Sequence, residues 1–537
     1  MIKRNIFVPC ILILLFMFLY SQSFAQSGVW TTGGELSRNQ QQFEVHHYAI
    51  HLEVDADNKF ISGFTNVHIH ALVDDVESIE LDFVSDYRIE SVQTGGMELE
   101  FSHNDDILQV YLPYCLMTDE KAVLKISYKG IPPVAVRPPW SGGFNWSKDP
   151  DGNHWVGVSS QLEGSKMWFP SKDHPSSRAD SVALHITVPE PYVVAANGIL
   201  QGVTSVEPDK QTYHWLTRYP IHNYNISINI AKFSIVEHIY MTNTGKPMPV
   251  VFYVLPQYEH KADELLRMTI QKLKQLRIYY GEYGFTEEKF GLVHTDYLGM
   301  EHQTINSYGN DFKYNTLNGM SYDWLLLHEM GHEWWGNLIT VRDWADFWIH
   351  EGVTTYTDAL FLWDFYNEDA YHAKIREYAK LIKNEKPIIP GRNLTTKEVY
   401  NLDVYYKGAY FMHTLSHILG RGTFLNIIKG FVKENRYGYT STEDFMEFFE
   451  RYSGYSLRNV FDLYLYSTKL PEIIITREDN SVYAISISNI DFSLPMDVQT
   501  SAGIQRLNLS SEPVFVETKT LPIVDPMDWY LKNVRTN

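Results

Sequence analysis

His328, Glu329 and His332 are the residues whose types and spacing most directly specify chemistry. They stand in His328-Glu329-Met330-Gly331-His332, inside a pattern that predicts a helix from near Ser321 to Gly336-Asn337. Positions i and i+4 share one helix face, so both imidazoles project to one point with Glu329 beside them. Two imidazoles and one carboxylate, with a fourth position left for water, are a standard zinc set in hydrolases. The third ligand is expected at Glu351, after 18 intervening residues, in Trp348-Ile349-His350-Glu351-Gly352. Val353, Tyr356 and Leu360 suit a second helix whose first turn carries that carboxylate. A bare His-Glu-x-x-His can arise by chance in a chain with 21 histidines; Glu351 at this spacing makes accident a poor account. Glu329 is next to the metal without being a ligand, which suits a base that takes a proton from water.

Three textures of sequence must position these residues. Strand alternation dominates from about 43 to 237: Tyr48, Ile50, Leu52 and Val54 alternate with Ala49, His51 and Glu53, and Val67 and Ile69 with His68 and His70. These histidines are read as lining a solvent face, since no carboxylate or second pair completes a metal site around them. Pro- and Trp-rich sequence from Pro132 to Trp155 interrupts the strands, and a loop of that length is usually functional or mobile. Helical periodicity follows from near Pro256 to Ser467, with Ala262, Leu265, Leu266, Thr269, Leu273 and Leu276 on one stripe. Alternation returns after Leu470, in a block small enough to need packing against its neighbour.

Composition limits the classes. The chain has 537 residues, 44% hydrophobic and 14% aromatic, which is material for several domains with large cores. A net charge of −20, with no basic tract or finger-like Cys/His spacing, argues against a nucleic-acid partner. Lys3-Arg4, the apolar run Ile11 to Tyr20 and the small residues of Ser23-Phe24-Ala25 read as an export signal cleaved after Ala25. The run is too short for a membrane anchor. Cys115 is then the sole cysteine, so an exported protein here must rely on its core instead of disulfides. A soluble periplasmic or secreted protein is expected, with no stable membrane insertion.

The zinc residues, with Trp334-Trp335-Gly336-Asn337 after the second His and Trp348 to Gly352 around the third ligand, resemble the gluzincin zinc aminopeptidases. That family includes membrane alanyl aminopeptidase and the leukotriene hydrolase-aminopeptidase, and the resemblance covers about residues 43 to 466. It implies that Glu301, in Leu298-Gly299-Met300-Glu301-His302, binds the free α-amine of a peptide, with Gly299 and Met300 in the same substrate-binding motif. Leu298 and His302 depart from the family's Gly and Asn there. Gln161-Leu162-Glu163 resembles a Gln-x-Glu segment, with Glu163 a second carboxylate for the amine and Gln161 a polar contact. Tyr405-Tyr406-Lys407-Gly408 resembles Tyr-x-Lys-Gly, which makes Tyr405 the donor to the oxyanion and Tyr406 the competing choice.

The expected fold is multidomain α+β: signal peptide 1–25, an N-terminal β-sandwich-like domain 26–237, a thermolysin-like catalytic domain 238–467 and a small C-terminal β domain 468–537. No length remains for the helical domain that many members carry, which predicts a more open cleft or one closed by a partner subunit. The expected activity is that of a zinc aminopeptidase, with one Zn2+ per chain, acting on peptides with a free N-terminus. Rivals are a zinc endopeptidase of the same clan, a lipid epoxide hydrolase and a non-catalytic binding protein; the intact His328, Glu329, His332, Glu351 and Tyr405 oppose the last.

Overall fold

A computed structural model describes residues 30–317 and 319–537; the expected export segment lies outside the described residues. The N-terminal alternation becomes an eight-stranded sheet. Its strands are β1 (Phe43–Asp55), β2 (Phe60–Ala71), β3 (Arg88–Thr94), β4 (Met97–Glu98), β5 (Lys121–Gly130), β6 (Ser181–Pro189), β7 (Ile199–Glu207) and β8 (Lys210–Thr217). The order is β7-β8-β6-β1-β2-β5-β3-β4, with β1 parallel to β6 and antiparallel to β2. Tyr48, Ile50, Leu52 and Val54 point into a core shared with smaller sheets built around Ile107–Leu116 and His154–Ser159. His51, His68 and His70 fall on the opposite, half-exposed face, as a period of two requires.

The second half of the chain opens with a five-stranded sheet of β9 (Ser234–Met241), β10 (Pro247–Val254), β11 (Phe290–His294), β12 (Gly299–Met300) and β13 (Asn306–Tyr308), in the order β9-β10-β11-β13-β12. The boundary expected at 237 falls inside β9. That strand pairs with β10, and alternation alone does not say which sheet a strand joins. Helix α1 (Glu259–Tyr280) lays Leu265, Leu266, Leu273 and Leu276 into the second core. Three further helices build the site: α2 (Trp324–His332), α3 (Trp348–Phe365) and α4 (Asp403–Leu419).

The C-terminal strands form a four-stranded and a three-stranded sheet whose Ile473, Ile485, Met496 and Val498 continue the second core. Trp529 seals the junction: its ring stacks between His413 and His417 of α4, 4.5 Å from each centroid. No helix among the described residues is long and apolar enough to cross a membrane.

Candidate metal centre and substrate cavity

Asp323 starts the metal-binding helix. Its side chain accepts from the Leu326 N–H at 3.1 Å and from the Tyr308 hydroxyl at 2.6 Å, so α2 begins at Trp324. The start expected near Ser321 is instead a strand, Met320–Tyr322, paired with Asn315–Leu317. The α-helix stops at His332, and bonded turns continue to Asn337, whose N–H donates to the His332 carbonyl at 3.0 Å.

Helix α3 carries Glu351 in its first turn, after a short turn in which Asp343 accepts from the Ala345 N–H at 3.0 Å. It crosses α4 at two glycines. A Cβ on Gly352 would lie 2.8 Å from the Gly408 Cα, so only glycine allows this approach. The crossing brings Tyr405, one turn before Gly408, to the cavity that Glu351 also lines.

His328 and His332 face each other with their Nε2 atoms 3.2 Å apart, and Glu351 Oε2 lies 3.6 and 3.3 Å from them. Two bonds of ~2.0–2.1 Å at a tetrahedral angle separate their nitrogens by ~3.3 Å, so the spacing suits tetrahedral zinc. The His332 Nδ1–H donates to the Trp335 carbonyl at 3.0 Å, which leaves the Nε2 lone pair pointing inward. Glu351 Oε2 is buried and accepts no hydrogen bond. The three atoms fit one metal ion. Trp324, stacked 5.4 Å from the His328 ring, limits its rotation.

The electrostatics also call for a cation. Burial pushes Glu329 well above the ordinary carboxyl range, with the Glu301 and Glu351 charges adding to it against His332. Burial raises Glu301 as well, with Glu351 adding. Although burial works the other way, His332 and His328 hold Glu351 well below its usual value. Burial likewise opposes protonation of His332, yet Glu301, Glu351 and Glu329 push it up to about 10.

A cavity of about 190 Å³ opens onto these groups, lined by His328, Glu329, His332, Glu351, Glu301, Gln161, Gly299, Met300, Tyr405 and Tyr406 among others. Glu301 Oε1 accepts from Gln161 Nε2 at 2.7 Å and from the Tyr224 hydroxyl at 3.0 Å, while Asn337 Nδ2 donates to its backbone carbonyl at 2.9 Å. Gln161 Nε2 also reaches Glu351 Oε1 at 3.3 Å. Glu163 is placed differently from the expectation. It is buried, its Oε2 accepts from the Gly142 N–H at 2.7 Å, and it is not among the residues lining the cavity. Its carboxylate anchors the loop that carries Gly142.

Both tyrosines line the cavity, but their surroundings differ. Tyr405 is raised well above its usual range by burial and then by Glu351, and its ring stacks 6.3 Å from His328. Tyr406 is raised by burial and then by Glu377 and Asp358, and it stacks 5.6 Å from Tyr378. Tyr405 is therefore the one that faces the ligand set. Tyr224 and the aromatic wall of Trp140, Trp324 and Tyr400 have no spacing signal in the sequence. His302 is buried with Nε2 unpartnered, and burial lowers it to about 3.

Gly299 sets the depth of the cavity. A Cβ there would lie 2.4 Å from Glu329 Oε1 and 2.5 Å from Leu325 Cδ1. Gly299→Ala should therefore displace the Glu329 carboxylate while leaving zinc bound. A misplacement of about 1 Å costs on the order of 10²-fold in turnover. Metal analysis beside steady-state kinetics checks this; unchanged kcat would mean that the carboxylate tolerates the methyl.

A pair of histidines on one helix and a glutamate on the next, with a free carboxylate beside them, define the class of His-Glu-x-x-His metallopeptidases. The chain belongs to peptidase family M1: it matches the Peptidase M1 N-terminal domain over residues 44–224 and the Peptidase family M1 domain over 299–464. It is 21% identical to Aminopeptidase 2 of Candida albicans over 89% of its own length, but spans only 52% of that protein. Leukotriene A-4 hydrolase of Xenopus laevis is 23% identical over 77% of this chain and 69% of its own. Among solved structures, a mutant M1 zinc metallopeptidase of Deinococcus radiodurans, bound to a Tyr-Ser-Ala substrate, shares the fold. Its TM-score is 0.68 at 21% identity, covering 81% of this chain and 96% of the other.

Proposed function

We propose that this chain is a zinc-dependent aminopeptidase that hydrolyses the first peptide bond of peptides with a free N-terminus. The observation that carries the reading is the position of Glu301: an acceptor-bearing carboxylate on the wall of the cavity that holds His328, His332, Glu351 and Glu329. His328, His332 and Glu351 would hold zinc, which when bound acts as a Lewis acid on water and on the scissile carbonyl. Glu329 takes the proton of the attacking water and passes it to the leaving amine. The Tyr405 hydroxyl donates to the developing oxyanion. Glu301, held by Gln161 and Tyr224, receives the substrate ammonium and so limits the cut to the first residue.

The chain's relatives support the activity by name, and the intact site supports it by chemistry. An endopeptidase would need the same metal residues but no Glu301. The export reading joins this proposal: Lys3-Arg4, the run from Ile11 to Tyr20 and Ser23-Phe24-Ala25 support a periplasmic or secreted enzyme.

The test is a panel of aminoacyl-fluorophores, free and N-acetylated, assayed with and without a chelator. Free substrates should be cleaved, chelation should abolish turnover and added zinc should restore it. Equal cleavage of acetylated substrates would favour the endopeptidase, and turnover of an epoxide fatty acid alone would favour the lipid hydrolase. Tyr405→Phe deletes one oxyanion donor and keeps the ring, so kcat should fall on the order of 10²–10³-fold with KM little changed. Tyr406→Phe should do much less. A reversal of the two effects would move the donor to Tyr406.

A further inference from the structure

The outer face of the eight-stranded sheet gathers histidines from strands far apart in sequence. β6 and β8 are antiparallel, and His185 stands directly opposite His214. Their Nδ1 atoms are 2.7 Å apart. On the other side β1 runs parallel to β6 and places His51 opposite His185. The His51 ring stacks on His185 at 4.2 Å and on Phe64 of β2 at 4.3 Å, with the Lys125 ammonium of β5 lying 4.2 Å over the Phe64 ring. Beyond β8, the Thr204 hydroxyl of β7 lies 2.9 Å from His214 Nε2. Two Nδ1 atoms are thus turned toward each other and braced from both sides.

We propose that His185 and His214 form a second metal site, selective for a tetragonal ion, divalent copper above all. Two neutral imidazoles that meet at Nδ1 share one proton, donated by one ring and accepted by the other. When a metal ion binds, the donor ring takes up its other tautomer, with the proton moved from Nδ1 to Nε2, so both rings stay neutral and both Nδ1 lone pairs face the ion. The spacing decides between ions. Metal–imidazole bonds of ~2.0 Å at a right angle put the nitrogens ~2.8 Å apart, against ~3.3 Å at a tetrahedral angle. The 2.7 Å spacing falls near the tetragonal value, whereas the 3.2 Å of His328 and His332 falls near the tetrahedral one. Tetragonal nitrogen sites prefer Cu(II) or Ni(II), and imidazole affinity peaks at copper in the first-row series. Burial, with the neighbouring His214, lowers His185 below its ordinary value, which keeps its lone pair available at neutral pH. His51 stacks face to face on His185, and a stacked ring cannot aim its in-plane lone pairs at the same ion. It braces the site without ligating. Both ligands are half-exposed, so water completes the coordination and the ion enters from solvent.

The test uses the zinc-loaded full chain with its thiols alkylated, because exposed Cys115 would reduce copper. Copper(II) is titrated in and followed by electron paramagnetic resonance. The expected result is one tight equivalent with a tetragonal signal coupled to two imidazole nitrogens, with bound zinc undisturbed. Nickel(II) should compete for it better than added zinc. His185→Gln and His214→Gln should each remove the two-nitrogen pattern and weaken binding at least ~10-fold, with melting temperature unchanged in the absence of copper. His47→Gln, which alters the neighbouring His47 and His68 pair, should leave the signal intact. A signal that survives both Gln variants, or copper that enters only by displacing the bound zinc, would overturn the proposal. Peptidase activity is not read in this test, so its outcome is independent of the proposed function.

Discussion

Glu329→Gln is expected to keep one zinc per chain and to lose ~10²–10⁴-fold in turnover, the share that a positioned general base contributes. The expectation follows from where the carboxylate sits. Its oxygen lies within 4.8 Å of a ligand atom of His332 and of Glu301, yet it is not one of the three atoms that converge on the metal position. Glutamine keeps the volume next to Gly299, where space is so short that even a methyl would collide. Packing and metal affinity should therefore survive while the proton acceptor is lost. Metal analysis with kinetics on one free aminoacyl substrate measures both. Near-normal turnover at full zinc would assign the proton transfer to another group. Loss of zinc would instead show that Glu329 supports the ligands.

The metal centre was legible because its information is local. Residues i and i+4 of one helix meet by geometry alone, and the first turn of the next helix needs only the spacing to Glu351. Even there the sequence missed that Asp323, not Ser321, opens the helix, because the preceding residues pair as a hairpin and only side-chain capping marks the change. The position of Tyr405 was read from resemblance, but its physical cause is the contact of Gly352 with Gly408, which joins two helices that no periodicity relates. Tyr224 was not found at all: its hydroxyl reaches Glu301 from 77 residues away, and tyrosine in a strand-rich region has no signature. Glu163 shows how little a short motif fixes. A matching motif suggested an ammonium ligand, whereas its carboxylate is turned to the Gly142 N–H. The histidine face was legible as a face, since alternation shows which residues share a side. Which strands lie next to each other depends on the sheet order, so the meeting of His185 with His214 was not.

Glu301→Gln should separate an aminopeptidase from every rival that shares its metal site. One charge-assisted hydrogen bond between a substrate ammonium and a carboxylate is worth ~1.5–3 kcal/mol. Glu301 supplies one such term, so at 1.4 kcal/mol per decade it contributes ~10–10²-fold to the preference for a free amine. Burial makes the carboxylate's position costly unless a cation arrives, and Glu351 nearby adds to that cost. An acetylated substrate brings it no cation, which widens the gap. Glutamine can keep its carbonyl oxygen facing the Gln161 amide and the Tyr224 hydroxyl, so the cavity wall survives while the charge goes. The kcat/KM for a free dipeptide amide should fall ~10–10²-fold in the variant, that for its N-acetyl form should stay within a few-fold, and zinc content should not change. Glu163→Gln should disturb the Gly142 loop and lower both substrates together, leaving their ratio near the wild-type value. If Glu301→Gln lowers both substrates equally, the carboxylate is structural and the cut is not set by the amine. If Glu163→Gln alone collapses the ratio, the ammonium is held from the loop side of the cavity instead.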